Sequence, residues 1–205
     1  MYQTVGHDAI HLYAEACRLP LYRREITGTA VSTTMQYDAP IEGDEVENLT
    51  QLLQDVQRKH PDVQGVSAGA IHSEYQYVRV ANVCARLGLT PLCYLWRRDQ
   101  ETLLGDMIND GVHAIVIKVA AMGLLPDKHL GLSLSEIQPE MRRLAQQYGL
   151  NVCGEGGEFE TFVLDCPLFA RRIVLDESET VLHSNDAFAP VAYLRLKRLH
   201  LQEKS

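Results

Sequence analysis

Long apolar runs, paired cysteines and an excess of positive charge are all missing from this 205-residue chain. The most apolar stretch, Ala114 to Leu125, is short and broken by Lys118, so no membrane span is expected. The opening Met-Tyr-Gln-Thr-Val-Gly-His has neither a basic start nor an apolar core, which argues against a secretory signal. The five cysteines (17, 84, 93, 153 and 166) are an odd number, scattered, and without a Cys-x-x-Cys pair, the pattern of free thiols in a reducing, cytoplasmic protein. A formal net charge of -8 and a pI near 5.4 argue against a nucleic-acid partner, which calls for a basic surface. The pairs Arg23-Arg24, Arg97-Arg98 and Arg171-Arg172 read either as phosphate contacts or as solvated strand ends. No His-Glu-x-x-His motif occurs among the eight histidines, so no metal site is expected. Internal repeats and low-complexity tracts are absent too.

What is present is a chain long enough for one generous domain, or a domain with an appendage, burying roughly 70% of its unfolded surface. Over the first two-thirds, helical and strand patterns alternate. Ile10, Tyr13, Ala14 and Cys17 form a helical stripe over 8–18, ended by Pro20 before an expected strand at Leu21–Ile26 and a loop over 28–43. Val46, Leu49, Leu52, Leu53 and Val56 predict a helix from Asp44 to Pro61, and Val63–Ile71 a strand. Ser73 and Gln76 have capping-box spacing for a helix reaching Gly88. Leu92–Trp96 reads as a buried strand, Asp99 as the cap of a helix ending before Gly111, and Ala114–Val119 as a further strand. A loop through Leu134 leads to a helix expected to start near Pro139 and stop at Gly149. The alternation predicts an α/β fold with a parallel sheet flanked by helices over 1–150. From about 151 the texture changes to short strands at Phe159–Leu164, Ile173–Leu175, Val181–His183 and Val191–Leu196, with a turn over Asp186–Pro190: a smaller, antiparallel β-rich part over 151–205.

The densest chemistry lies in Gly154-Glu155-Gly156-Gly157-Glu158-Phe159-Glu160-Thr161-Phe162. Glycines there let the backbone turn sharply or approach a ligand. Alternation from Glu158 onward predicts Glu158, Glu160 and Phe162 on one strand face. An acidic face beside a glycine turn suits a cationic or amine substrate, while a hairpin turn with solvated glutamates explains the same residues. Cys153 and Cys166 flank the run, either as nucleophiles or as small buried hydrophobes. Lys118 ends an apolar strand, where open α/β sheets bind ligands. Its ammonium meets a phosphate or carboxylate there, or its stem lies along the sheet with the head reaching water.

Several stretches carry a resemblance that covers essentially the whole chain: Met1-Tyr2-Gln3-Thr4-Val5-Gly6, Gly43-Asp44-Glu45-Val46-Glu47, Val66-Ser67-Ala68-Gly69-Ala70-Ile71, Arg79-Val80-Ala81-Asn82-Val83-Cys84, the acidic glycine run, and Asp186 to Arg195. Together they resemble the diphthine-ammonia ligases, of the N-type ATP pyrophosphatase group. The resemblance implies an incomplete domain of the adenine-nucleotide hydrolase type and amidation of diphthine on translation elongation factor 2. It further implies ATP, with Mg2+, as the activating nucleotide, ammonium as nitrogen donor, and release of AMP and pyrophosphate. Carried over, it gives Glu155, Glu158 and Glu160 the catalytic roles. Substrate binding falls to Gly154, Gly156, Gly157, Phe159, Thr161 and Trp96, and nucleotide contacts to Gly69, Ala70 and Lys118. Two departures stand out. The family's Ser-Gly-Gly-Lys-Asp-Ser phosphate loop occurs nowhere in the 205 residues, so a partial or alternatively started form is expected, or a noncatalytic form that binds the elongation factor or regulates. Ala81 stands where the family motif has glutamate.

Overall fold

The computed structural model describes Tyr2 and residues 5–204; Met1, Gln3 and Thr4, part of the first resembling stretch, and Ser205 lie outside the described residues. After a 3-10 turn at His7–Ala9 come helices α1 (His11–Cys17) and α2 (Glu45–Lys59), strand β1 (Gly65–Ser67), α3 (Glu74–Leu87), β2 (Thr90–Leu92), α4 (Gln100–Asn109) and β3 (His113–Val119). Then follow α5 (Pro126–His129), α6 (Leu134–Tyr148), β4 (Phe159–Asp165), β5 (Arg171–Ser184) and β6 (Val191–Glu203). The chain divides into two compact units, Leu21–Arg98 and Tyr2–Pro20 with Asp99–Ser205. The fold is mixed α/β: a parallel strand pair flanked by helices, and a separate four-stranded antiparallel sheet.

In the Leu21–Arg98 unit, β1 and β2 pair in parallel, Gly65 opposite Thr90 and Ser67 opposite Leu92, with α3 as the crossover. Asp44 begins α2, accepting from the Val46 amide at 3.0 Å and from the Ser32 amide at 2.9 Å. Val46 packs with Tyr37 and Val83, while Val80, Cys84 and Leu89 close a second cluster with Val66 and Leu53. The loop before α2 is pinned to α3 by Arg79, 0% exposed. Its Nη2 donates to the carbonyls of Ser32 and Thr34 at 2.7 and 3.1 Å, and its guanidinium lies 3.3 Å from the Tyr75 ring centroid.

Three expectations for this unit change. Residues 21–26 form no strand: Leu21 and Ile26 are 40% and 46% exposed, so their spacing reflects no buried face. The strand expected over 63–71 shrinks to β1, because only Gly65–Ser67 find partners on β2. The strand expected at 92–96 lies earlier, at 90–92, and Cys93–Trp96 turn instead, the Trp96 amide donating to the Cys93 carbonyl at 3.1 Å.

In the second unit the sheet order is β4-β3-β6-β5. The strand at Ala114–Val119 is therefore not part of the parallel pair; β3 runs antiparallel to both β4 and β6. A bulge between Val116 and Lys118 places Val116 and Val119, three apart, in one cluster with Leu104, Ile137, Met141 and Leu144 of α4 and α6. Ile115 and Ile117 join the other cluster, with Leu12 and Ala16 of α1, Phe162 and Ile173. The sheet is thus covered by α4 and α6 on one face and α1 on the other. Helix α6 starts five residues before Pro139, at Leu134, because Ser133 and Glu136 form a complete capping box and Pro139 is carried inside the helix. The two short strands expected at 173–175 and 181–183 are one, β5, kept continuous by bulges against β6. Among the described residues no helix is long and apolar enough to cross a membrane.

Candidate functional site

The acidic glycine run is a turn that delivers the chain into β4. The Gly154 amide donates to the Asn151 carbonyl and the Gly157 amide to the Gly154 carbonyl, both at 2.9 Å, and the Ala120 amide, just past β3, donates to the Glu158 carbonyl at 2.9 Å. Gly154 has a φ of +74°, and a Cβ there would lie 2.7 Å from the Phe159 carbonyl oxygen. Only glycine meets both demands.

Glu158 precedes the strand instead of sharing a face with Glu160. Its Oε1 accepts from the Asn151 amide at 2.8 Å and from Asn151 Nδ2 at 3.0 Å. Its Oε2 is buried without a hydrogen-bond partner, and the residue is 9% exposed. Asn151 is in turn oriented by Gln100, whose Nε2 donates to Asn151 Oδ1 at 3.0 Å and whose Oε1 accepts from the Cys153 amide at 3.3 Å. Gln100 and Asn151 escaped the sequence reading. No motif marks Gln100, and the one signal for Asn151 is its place just ahead of the glycines.

Glu160 faces a different partner. It sits opposite Lys118 in the β3–β4 register, and Lys118 Nζ donates to its Oε1 at 2.6 Å. Lys118 also stands opposite Tyr193 of β6. Of the readings left open for this lysine, the structure realises a carboxylate contact. Phe159 and Phe162 are 5% and 2% exposed and fill opposite core clusters, so neither ring presents an open face. Glu155, Gly156, Gly157 and Thr161 complete the stretch, with Gly156 and Gly157 exposed.

The remaining predicted residues lie in the Leu21–Arg98 unit. Gly69 and Ala70 follow β1 on the way to α3; Gly69 is exposed and Ala70 is 4% exposed. A Cβ on Gly69 would meet nothing within 4 Å. Ser73 caps α3 through the Gln76 amide. This strand, loop and helix amino terminus form an arrangement suited to phosphate. Trp96 stacks on Tyr77, ring centroids 4.4 Å apart.

Cys153 lacks the surroundings of a nucleophile. Burial, aided by the Glu155 charge, pushes the Cys153 thiol up to about 11, and its Sγ donates to the Gln100 carbonyl. Cys166 is partly buried, and all five cysteines are free. His7 and His11 stand four apart, yet His7 Nε2 faces Asp8 and His11 Nδ1 the Asp8 carbonyl. Among the described residues no group of three His, Cys, Asp or Glu side chains assembles that could hold a metal ion.

Known proteins resemble both parts of the chain. Residues 1–91 match the family described as diphthamide synthase N-terminal domain, and residues 99–197 the diphthamide synthase C-terminal domain. A diphthine--ammonia ligase of Danio rerio is 59% identical over 205 residues, covering 100% of this chain and 80% of that protein. Those of Rattus norvegicus and Homo sapiens are 62% and 59% identical over 204 residues, covering 100% of this chain and 76% of each relative.

Proposed function

The chain belongs to the diphthamide synthase family, and on that footing we propose that it is a carbon-nitrogen ligase joining ammonia to the carboxylate of diphthine on translation elongation factor 2, in the cytoplasm and at the expense of ATP. The observation that carries this reading is the likeness to diphthine--ammonia ligases over the whole chain, 62% for the rat protein. The acidic glycine turn supports it physically, since Glu155, Glu158 and Glu160 supply the negative charge that a cationic substrate and an ammonium donor call for.

ATP, with its Mg2+, supplies the activation: an ionised carboxylate resists attack by ammonia, and its mixed anhydride with AMP offers a stable departing phosphate. The loop after β1 fits a nucleotide, because Gly69 leaves open space and the amino terminus of α3 favours negative charge. Gly69 and Ala70 would hold the nucleotide through their backbone. Lys118 serves the acidic site instead, neutralising Glu160, and Gly154, Gly156, Gly157 and Thr161 shape the turn. The quaternary ammonium of diphthine suits carboxylates, a part left to Glu155 because the Phe159 ring is in the core.

Incubating the chain with diphthine-bearing elongation factor, ATP and isotopically labelled ammonium is the test. Label in the protein-bound product, dependent on ATP, is the expected result; product that stays unlabelled overturns the reading. A noncatalytic form that binds the elongation factor is the second reading, for which the same mixture yields a complex and no label.

A further inference from the structure

Of the three glutamates, Glu158 is built differently. Both protein donors to its carboxylate come from Asn151 and land on Oε1, while Oε2 is buried and bonded to nothing. A carboxylate offers about four acceptor sites, and burying one oxygen dry is costly unless something enters to satisfy it. No cationic side chain pairs with Glu158 among the described residues, whereas Glu160 has Lys118.

The geometry around this oxygen is specified from outside. Gln100 occupies the Asn151 amide oxygen, which turns the Asn151 amide nitrogen toward Glu158. Above the carboxylate lies Gly156, where a Cβ would stand 3.0 Å from Oε2 and 2.9 Å from Oε1. Gly156 is exposed and is not among the glycines with positive φ, so backbone conformation does not require glycine there. The missing side chain leaves only backbone over this face of a buried anion.

We propose that Glu158 Oε2 is the ammonium receptor, with Gln100 and Asn151 as positioning residues and Gly156 as the opening. The chemistry of this assignment rests on the ligase reading above. Ammonium donates an N–H to Oε2 and then surrenders that proton to it. The freed nitrogen lone pair forms the new bond to the activated carboxyl carbon, and the carbon-oxygen bond to AMP breaks, AMP leaving with the electron pair. The attacking nitrogen sheds its remaining extra proton to water. The proton on Glu158 returns to solvent past Gly156.

Binding can be read without turnover, by thermal unfolding of the full chain in ammonium, potassium and sodium chloride at matched ionic strength. The expected result is a higher midpoint in ammonium than in either other salt. That advantage should be lost in Glu158→Gln and diminished in Gly156→Ala, whose added methyl crowds both carboxylate oxygens and Asn151 Nδ2 while keeping the charge. Equal midpoints in the three salts, potassium matching ammonium, or an undiminished advantage in Gly156→Ala or Glu158→Gln each overturn the assignment. In the labelling reaction, Glu158→Gln should raise KM for ammonium at least about tenfold, the loss of one charge-assisted hydrogen bond, with KM for ATP unchanged. Ammonium-specific stabilisation without label transfer would sink the ligase reading and keep the receptor. Label transfer without any ammonium-specific effect would do the reverse.

Discussion

Replacing Arg79 with methionine keeps the apolar stem and removes a guanidinium that is 0% exposed. Its Nη2 donors to the Ser32 and Thr34 carbonyls are charge-assisted and contribute about 1.5 kcal/mol each, and its position over the Tyr75 ring adds about 1 kcal/mol. Two effects reduce the loss. The Ser32 carbonyl keeps a second donor, the Tyr75 hydroxyl, and methionine escapes the cost of burying a charge. The net destabilisation of the Leu21–Arg98 unit is then about 3 kcal/mol, a large fraction of the roughly 5–15 kcal/mol typical of a domain. Urea unfolding gives the total, and amide hydrogen exchange over residues 29–37 reports whether the loop is released first. A loss under about 1 kcal/mol, or exchange in that loop unchanged, would refute the clamp.

Gly154→Ala meets both a positive φ and the Phe159 carbonyl and should cost about 2–3 kcal/mol, whereas Gly69→Ala, facing open space, should leave the unfolding midpoint within error and raise KM for ATP. Lys118→Met strands Glu160 without its cation and should destabilise by about 2–3 kcal/mol after allowing for partial exposure, with most of that recovered by adding Glu160→Gln. Burial holds the His129 pKa below 6.5, and its neutral Nδ1 accepts from the Leu125 amide. Its stability contribution is therefore complete above the unfolded value of 6.5 and lost as pH falls through the lower folded value. A His129→Gln variant should show a flatter acid limb of unfolding midpoint against pH. With its thiol near 11, Cys153 should react with iodoacetamide at neutral pH far more slowly than free cysteine; rapid labelling in the folded protein would contradict its burial.

Features written into a few consecutive residues were legible from sequence. Ser73 and Asp99 each announce a helix by capping, and both accept the expected amide hydrogen bonds. Pairing was not legible. The strand at β3 was evident from its run of valine and isoleucine, but its partners lie about forty and seventy-five residues further on, and nothing local distinguishes antiparallel from parallel use of a buried strand. Leu21–Ile26 had strand composition without a partner. Pro139 reads as a first-turn residue, whereas the reciprocal bonds of Ser133 and Glu136 set the beginning of α6 five residues earlier. The acidic glycine run was visible as chemistry, but alternation alone put Glu158 and Glu160 on one face. The turn separates their partners, Asn151 for one and Lys118 for the other. Gln100, fifty-one residues from Asn151, becomes part of the site only through the fold.

The most direct test of the central claim is the nucleotide balance of the labelling reaction: AMP formed against amide made on diphthine-bearing elongation factor, with this chain and limiting ammonium. The account predicts one AMP for each amide and none when ammonium is withheld from the completed turnover. ADP in place of AMP, or amide formed without nucleotide consumption, would contradict it.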